Sequence, residues 1–85
     1  MTFDQWIDSV NAEVHGRVGQ VRTEELSWDS AHWVAEGGHV VAALDETETT
    51  AVIDFDNGER LAVPFRSLEG NPEVIGRTIA AHLTR

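Results

Sequence analysis

The chain has 85 residues, 41% of them hydrophobic, with three tryptophans and no cysteine, a size that points to one small domain over residues 1–85 with a single core. Fifteen acidic residues face six basic ones, all arginine, for a formal charge of -9, a field that repels phosphate backbones and anionic lipid. These figures exclude a disulfide framework and a thiolate metal site, and they argue against direct binding to nucleic acid or membrane.

The start, MTFDQWIDSV, carries acids where a secretion signal needs positive charge. No apolar run approaches the ~20 residues of a membrane span, so a cytoplasmic protein is expected. Thr2-Phe3-Asp4-Gln5 has the form of a capping box, in which the Thr2 hydroxyl accepts from the Gln5 amide and the Gln5 side chain reaches back. A helix over about 3–15 follows, with Phe3, Trp6, Ile7, Val10 and Val14 on one face and Gly16 as its stop. Residues 18–21 read as a connector.

Thr23-Glu24-Glu25 resembles a second helix start, with a hydroxyl cap and two carboxylates in the first turn, and Gly37-Gly38 supplies an end. The pattern therefore predicts a helix over about 24–36, with Leu26, Ser30 and Trp33 on one face and a break at Ser27–Ser30 as the alternative. On either version Trp28 lies off the apolar stripe, which makes it the tryptophan to expect at a partner interface.

HVVAALDE reads as a strand over about 39–45 with Val40, Ala42 and Leu44 toward the core, although a short helix fits the same apolar run. The clearest element is the hairpin formed by strands over about 49–56 and 59–65. A two-residue Asn57-Gly58 loop would split the apolar residues between the faces. A three-residue loop, Asp56-Asn57-Gly58 with Gly58 left-handed, instead places Ile53 opposite Leu61, Ala51 opposite Val63, Thr49 opposite Phe65, and Asp54 opposite Arg60. Pro64 lacks a ladder donor, so the second strand belongs at a sheet edge. Residues 66–70 read as a loop. Asn71-Pro72-Glu73 starts a last helix over about 72–83, with Val74, Ile75, Thr78, Ile79 and Leu83 on its apolar face. The expected fold is α+β, a three-stranded antiparallel meander with two N-terminal helices and one C-terminal helix.

Chemistry has few footholds. Asp54 to Gly58 superficially matches a calcium loop, but Gly58 falls one position early and Phe65 stands where the bidentate glutamate must be. None of the four serines lies in a nucleophile elbow, and Gly16-Arg17-Val18-Gly19 lacks the features of a phosphate cradle. No catalytic residue and no cofactor is expected. On a helix, Asp29, His32 and Glu36 would share a face with His39 nearby, the nucleus of a small metal-binding or enzymatic domain, but no second element is expected to complete a ligand set, so no metal is assigned. His15 and His82 fall near helix ends, where a protonated ring meets carbonyl charge favourably.

Charge is the stronger signal. Between Thr23 and Glu59 the sequence carries ten acids and no Lys or Arg, whereas beyond it four arginines outnumber two glutamates. The expected function is thus a non-catalytic acidic module that binds a basic surface on another protein through Trp28, Asp45, Glu46, Glu48, Asp54, Asp56 and Glu59. An alternative is a nucleic-acid-mimicking inhibitor, of a phage or mobile-element type, which requires carboxylates spaced about 7 Å apart like phosphates. A chain this small also has the size at which a homodimer adds useful burial.

Overall fold

The computed structural model describes residues 1–84. Helix α1 (Phe3–Arg17) leads into five strands, β1 (Val21–Leu26), β2 (Ser30–Ala35), β3 (Gly38–Leu44), β4 (Ala51–Phe55) and β5 (Arg60–Val63). A single 3-10 turn (Leu68–Gly70) and helix α2 (Pro72–Leu83) complete the described chain. The strands form one antiparallel sheet in chain order. The class is α+β as expected, but with five strands and two helices in place of three and three. No helix among the described residues is long and apolar enough to cross a membrane.

The expected helix over 24–36 is replaced by the β1–β2 hairpin. Ala31 and Trp33 are buried while His32 and Val34, which alternate with them, stay half-buried on the opposite side, a period of two that suits a strand and defeats a helical stripe. Thr23 pairs with Trp33 and Leu26 with Ala31, so residues aligned along one helix face in the sequence reading lie on different strands. The Ser27–Ser30 break becomes a turn, closed by the Ser27 amide on the Ser30 carbonyl at 2.9 Å and by the Ser27 hydroxyl on Asp29 Oδ1 at 2.9 Å. Gly37, read as helix punctuation, belongs instead to the two-residue turn between Ala35 and Gly38, a paired couple of the β2–β3 ladder. His39 to Leu44 of HVVAALDE lie in a strand, with Val40 and Ala42 buried, while Asp45 and Glu46 fall in the loop that follows.

The β4–β5 hairpin takes the register of the three-residue loop. Ala51 pairs with Val63, Ile53 with Leu61 and Asp54 with Arg60, whose Nε donates to Asp54 Oδ1 at 2.6 Å. Gly58 has φ +90°, the left-handed geometry that a residue without Cβ adopts at no steric cost. The expected Thr49–Phe65 pair does not form, because β4 begins only at Ala51 and β5 ends at Val63, before the proline that cannot donate. Phe65 leaves the sheet and turns into the core, its ring 5.2 Å from Phe3 and 5.9 Å from Trp6. β5 is an edge strand, and Leu61 on it remains 38% exposed.

Both helices cover the same face. Phe3, Trp6, Ile7, Val10 and Val14 of α1 and Ile75, Ile79 and Leu83 of α2 join Ala31, Trp33, Val40, Ala42, Ala51 and Ile53 in one buried cluster. The capping box at Thr2 and Gln5 is present in both directions, and Asn71 Oδ1 caps α2 by accepting the Glu73 amide at 2.9 Å. Val74, expected in the apolar stripe, is 47% exposed. Polar links set the helices on the sheet. Asn11 Oδ1 accepts from the indole of the fully buried Trp33 and from the Thr23 hydroxyl, each at 2.8 Å, and His15 Nε2 lies 2.6 Å from that hydroxyl. At the other end, the Trp6 indole donates to the Gly70 carbonyl.

Asp56 ties three elements together. One carboxylate oxygen pairs with His82 Nε2 at the end of α2, and the other accepts the His39 amide at the start of β3. The His82 hydrogen bond, supported by the His39 amide and opposed by burial, holds the Asp56 carboxyl below its ordinary value. The unfolded chain therefore takes up this proton more readily, so the contribution to stability is fully present well above the ordinary aspartate value of about 4 and is lost as the pH falls below it, through the lowered folded-state value. Asp56→Asn should lower the melting temperature at neutral pH, and the gap from the parent protein should close across that acid window in thermal melts.

A β-carbon placed on Gly70 would stand 2.7 Å from the Pro64 carbonyl oxygen, against backbone that no side-chain rotation can move. Gly70→Ala should cost about 1–3 kcal/mol, the usual range for overpacking, as read by urea denaturation.

Candidate functional site

Trp28 occupies the β1–β2 turn, off both faces of the sheet, and is 63% exposed, whereas Trp6 and Trp33 are fully buried. The turn that carries it is tied to the neighbouring hairpin by the Leu44 amide, which donates to the Asp29 carbonyl at 2.8 Å. Directly beyond Leu44 comes the loop to β4, organised by Asp45. Its amide donates to the Thr50 carbonyl at 3.0 Å, and its carbonyl accepts from the Glu48 amide at 3.0 Å. Its Oδ1 accepts the Thr47 hydroxyl at 2.8 Å and the Thr50 amide at 3.3 Å. The Thr47 hydroxyl is the main reason that the Asp45 carboxyl lies below its ordinary value. Asp45 is thus largely occupied in shaping its own loop.

The loop holds Glu48 at φ 59°, the one non-glycine residue with a left-handed backbone among the described residues. Together with the first turn of α1, this loop and Trp28 enclose an open cleft of about 420 Å³. Phe3, Leu44 and Phe65 supply its apolar lining, while Asp4, Glu48 and Arg66 supply its charges. Arg66 is already engaged, its Nε donating to the Met1 carbonyl at 3.1 Å and its guanidinium standing 5.1 Å above the Phe65 ring. Trp28 and Glu48 come from the sequence-predicted set; Phe3, Asp4, Phe65 and Arg66 do not. Their membership depends on α1 and the segment after β5 converging on the same end of the sheet, which no local pattern encodes.

The remaining candidates divide between the ends of the molecule. Asp45, Glu46 and Glu48 share the β3–β4 loop with Trp28 close by, whereas Asp56 and Glu59 flank the β4–β5 turn at the opposite end. The seven residues of β3 separate the two groups by roughly 20 Å. Asp54 projects from the sheet face away from the helices and is paired with Arg60, and Asp56 is paired with His82. Asp29, His32 and Glu36 are also dispersed, to one turn, the middle of β2 and the opposite turn. No group of three or more His, Asp or Glu residues that could hold a metal occurs among the described residues.

No family model, curated protein or solved structure matches this chain.

The left-handed backbone at Glu48 has a measurable consequence, because a side chain there costs more than a glycine does. Glu48→Gly should raise stability by about 0.5–1 kcal/mol in chemical denaturation, with the relief of the Cβ contact exceeding the added entropy of the unfolded chain.

Proposed function

We propose that this protein is a non-catalytic interaction module of the cytoplasm that takes a basic segment of a partner protein into the cleft beside Trp28. The observation that carries the reading is the exposure of one large aromatic at the mouth of a partly apolar cleft that carboxylates also line. Burying a tryptophan is a main source of affinity in protein interfaces, and the indole face also attracts guanidinium and ammonium groups. Asp4 and Glu48 beside it, with Glu46 in the same loop, suit an arginine or lysine side chain laid across the indole. The one base in the cleft, Arg66, is held by Met1 and Phe65 and so competes little for those carboxylates. The overall charge of -9 supports the same class of partner by drawing cationic surfaces from a distance.

Nucleic-acid mimicry calls for a continuous row of carboxylates. The division of the acidic residues between two ends of the sheet favours the compact cleft over such a row.

The probe is a short fluorescein-labelled peptide alternating arginine with leucine, followed by its fluorescence anisotropy, which needs no tryptophan as reporter. Binding should weaken at least about tenfold in Trp28→Ala and in the Glu46→Arg/Glu48→Arg double variant, and it should fall steeply with added salt. Binding that ignores Trp28, or duplex DNA of matching length competing for a cationic partner of the protein, would turn the assignment away from the cleft.

A further inference from the structure

The chain has three asparagines, and each is followed by a different kind of nitrogen. Asn71 precedes Pro72, whose ring nitrogen carries no hydrogen and cannot act as a nucleophile. Asn11 lies within α1, where its carboxamide oxygen is occupied by the Trp33 indole and the Thr23 hydroxyl. Asn57 alone precedes a glycine, and both residues are exposed in the β4–β5 turn. Apart from its chain neighbours, nothing stands within 4 Å of the point that a β-carbon on Gly58 would occupy, so water and hydroxide reach this turn freely. Two hydrogen bonds hold the groups concerned. The Gly58 amide donates to the Phe55 carbonyl at 3.1 Å, and Asn57 Oδ1 accepts the Glu59 amide at 3.0 Å. The second bond draws electrons from the Asn57 carboxamide carbon, while the first occupies the Gly58 proton.

We propose that Asn57 is a modification site, converting without an enzyme to isoaspartate through a cyclic imide with Gly58, and that the conversion unfastens the clamp that Asp56 makes on α2 and β3. The Gly58 nitrogen, its proton taken by hydroxide, attacks Asn57 Cγ. As the N–Cγ bond forms, the Cγ–Nδ2 bond breaks, and Nδ2 leaves as ammonia with a proton from water. Water then opens the imide. Cleavage of the new N–Cγ bond yields ordinary aspartate, whereas cleavage at the main-chain carbonyl leaves the peptide running through Cβ and Cγ, with the α-carboxylate free. That second product adds one carbon to the main chain between Asp56 and Gly58. The three-residue loop no longer matches the couple it closes, in which the Phe55 amide donates to the Glu59 carbonyl at 2.9 Å. Asp56 has little room to absorb the change. Its carboxylate fills the space where Gly38 would carry a β-carbon and is bonded to both His82 and the His39 amide. The freed carboxylate also sets a new negative charge between Asp56 and Glu59. Because the Gly58 proton must first leave the Phe55 carbonyl, the reaction proceeds from the opened turn and is slower in the folded chain than in a flexible peptide. The turn lies at the sheet end away from the Trp28 cleft, so this modification and the binding of a basic partner stand or fall separately.

The test incubates the full chain at mildly alkaline pH beside a peptide of residues 53–60, with intact-mass and fragmentation mass spectrometry as the readout. The chain should gain one mass unit at Asn57 and at neither Asn11 nor Asn71, about tenfold more slowly than the peptide. The isoaspartyl form, separated by anion exchange, should melt below the parent protein, toward the melting temperature of Asp56→Asn. Freshly prepared Asn57→Asp carries the same added charge on a main chain of ordinary length and keeps an oxygen for the Glu59 amide, so it should melt close to the parent. A chain without the mass gain after about a hundred peptide half-lives overturns the inference, as does a gain located at another asparagine. An isoaspartyl form that melts with the parent, or no lower than Asn57→Asp, overturns the link to the Asp56 clamp.

Discussion

Everything in this fold follows from the need to cover one face of a five-stranded sheet. Trp33, Val40 and Phe55 form one row across β2, β3 and β4, and Ala31, Ala42 and Ile53 form the next. Small alanines beside large rings leave room for the side chains of α1 and α2 to enter, and the face becomes inaccessible to water only when both helices lie on it. Burial alone is not directional, so polar contacts choose where the helices rest. Asn11 receives the only polar group of Trp33 together with the Thr23 hydroxyl, which sets α1 over the first hairpin. Asp56 does the same for the end of α2.

With the helices all on one side, the two ends of the sheet and its opposite face are left uncovered by them. One end of the sheet carries the Trp28 cleft. The other end carries the β4–β5 turn, whose aspartate is drawn inward to His82. Between them lies the open face, where Arg22 pairs with Glu24 near one edge and Arg60 with Asp54 near the other. The excess of acid is therefore not one uniform coat. Asp45 and Asp56 are consumed in holding loops and helices, Asp54 is balanced by Arg60, and Glu48 lines the cleft of the exposed indole with Glu46 in the same loop.

Several features were legible in the sequence because their causes are local. The capping box at Thr2, the cap-proline-acid start at Asn71 and the left-handed glycine at position 58 each depend on residues within four positions of one another. The pairing of Asp54 with Arg60 was legible for a related reason, since a short loop leaves few registers and only one gathers the apolar residues on a single face. The segment from Thr23 to Glu36 was misread because its cap-like residues and terminal glycines mimic helix punctuation. The alternation of Ala31, Trp33 and Ala35 carries the strand signal there, and it prevails because two flanking hairpins bury that period-two face.

The sequence by itself determined the secondary structure at both ends of the chain, the register of the last hairpin, the strongly negative charge and the separateness of Trp28 from the apolar stripes. Each of these follows from backbone preferences and side-chain periodicity over a few residues. Tertiary structure alone decided that Trp28 would share a cleft with Phe3 and Phe65, that the acids would divide between opposite ends, and that one face of the sheet would stay uncovered. Those outcomes depend on where distant segments pack, and packing is set by burial summed over the whole core rather than by any neighbouring residue.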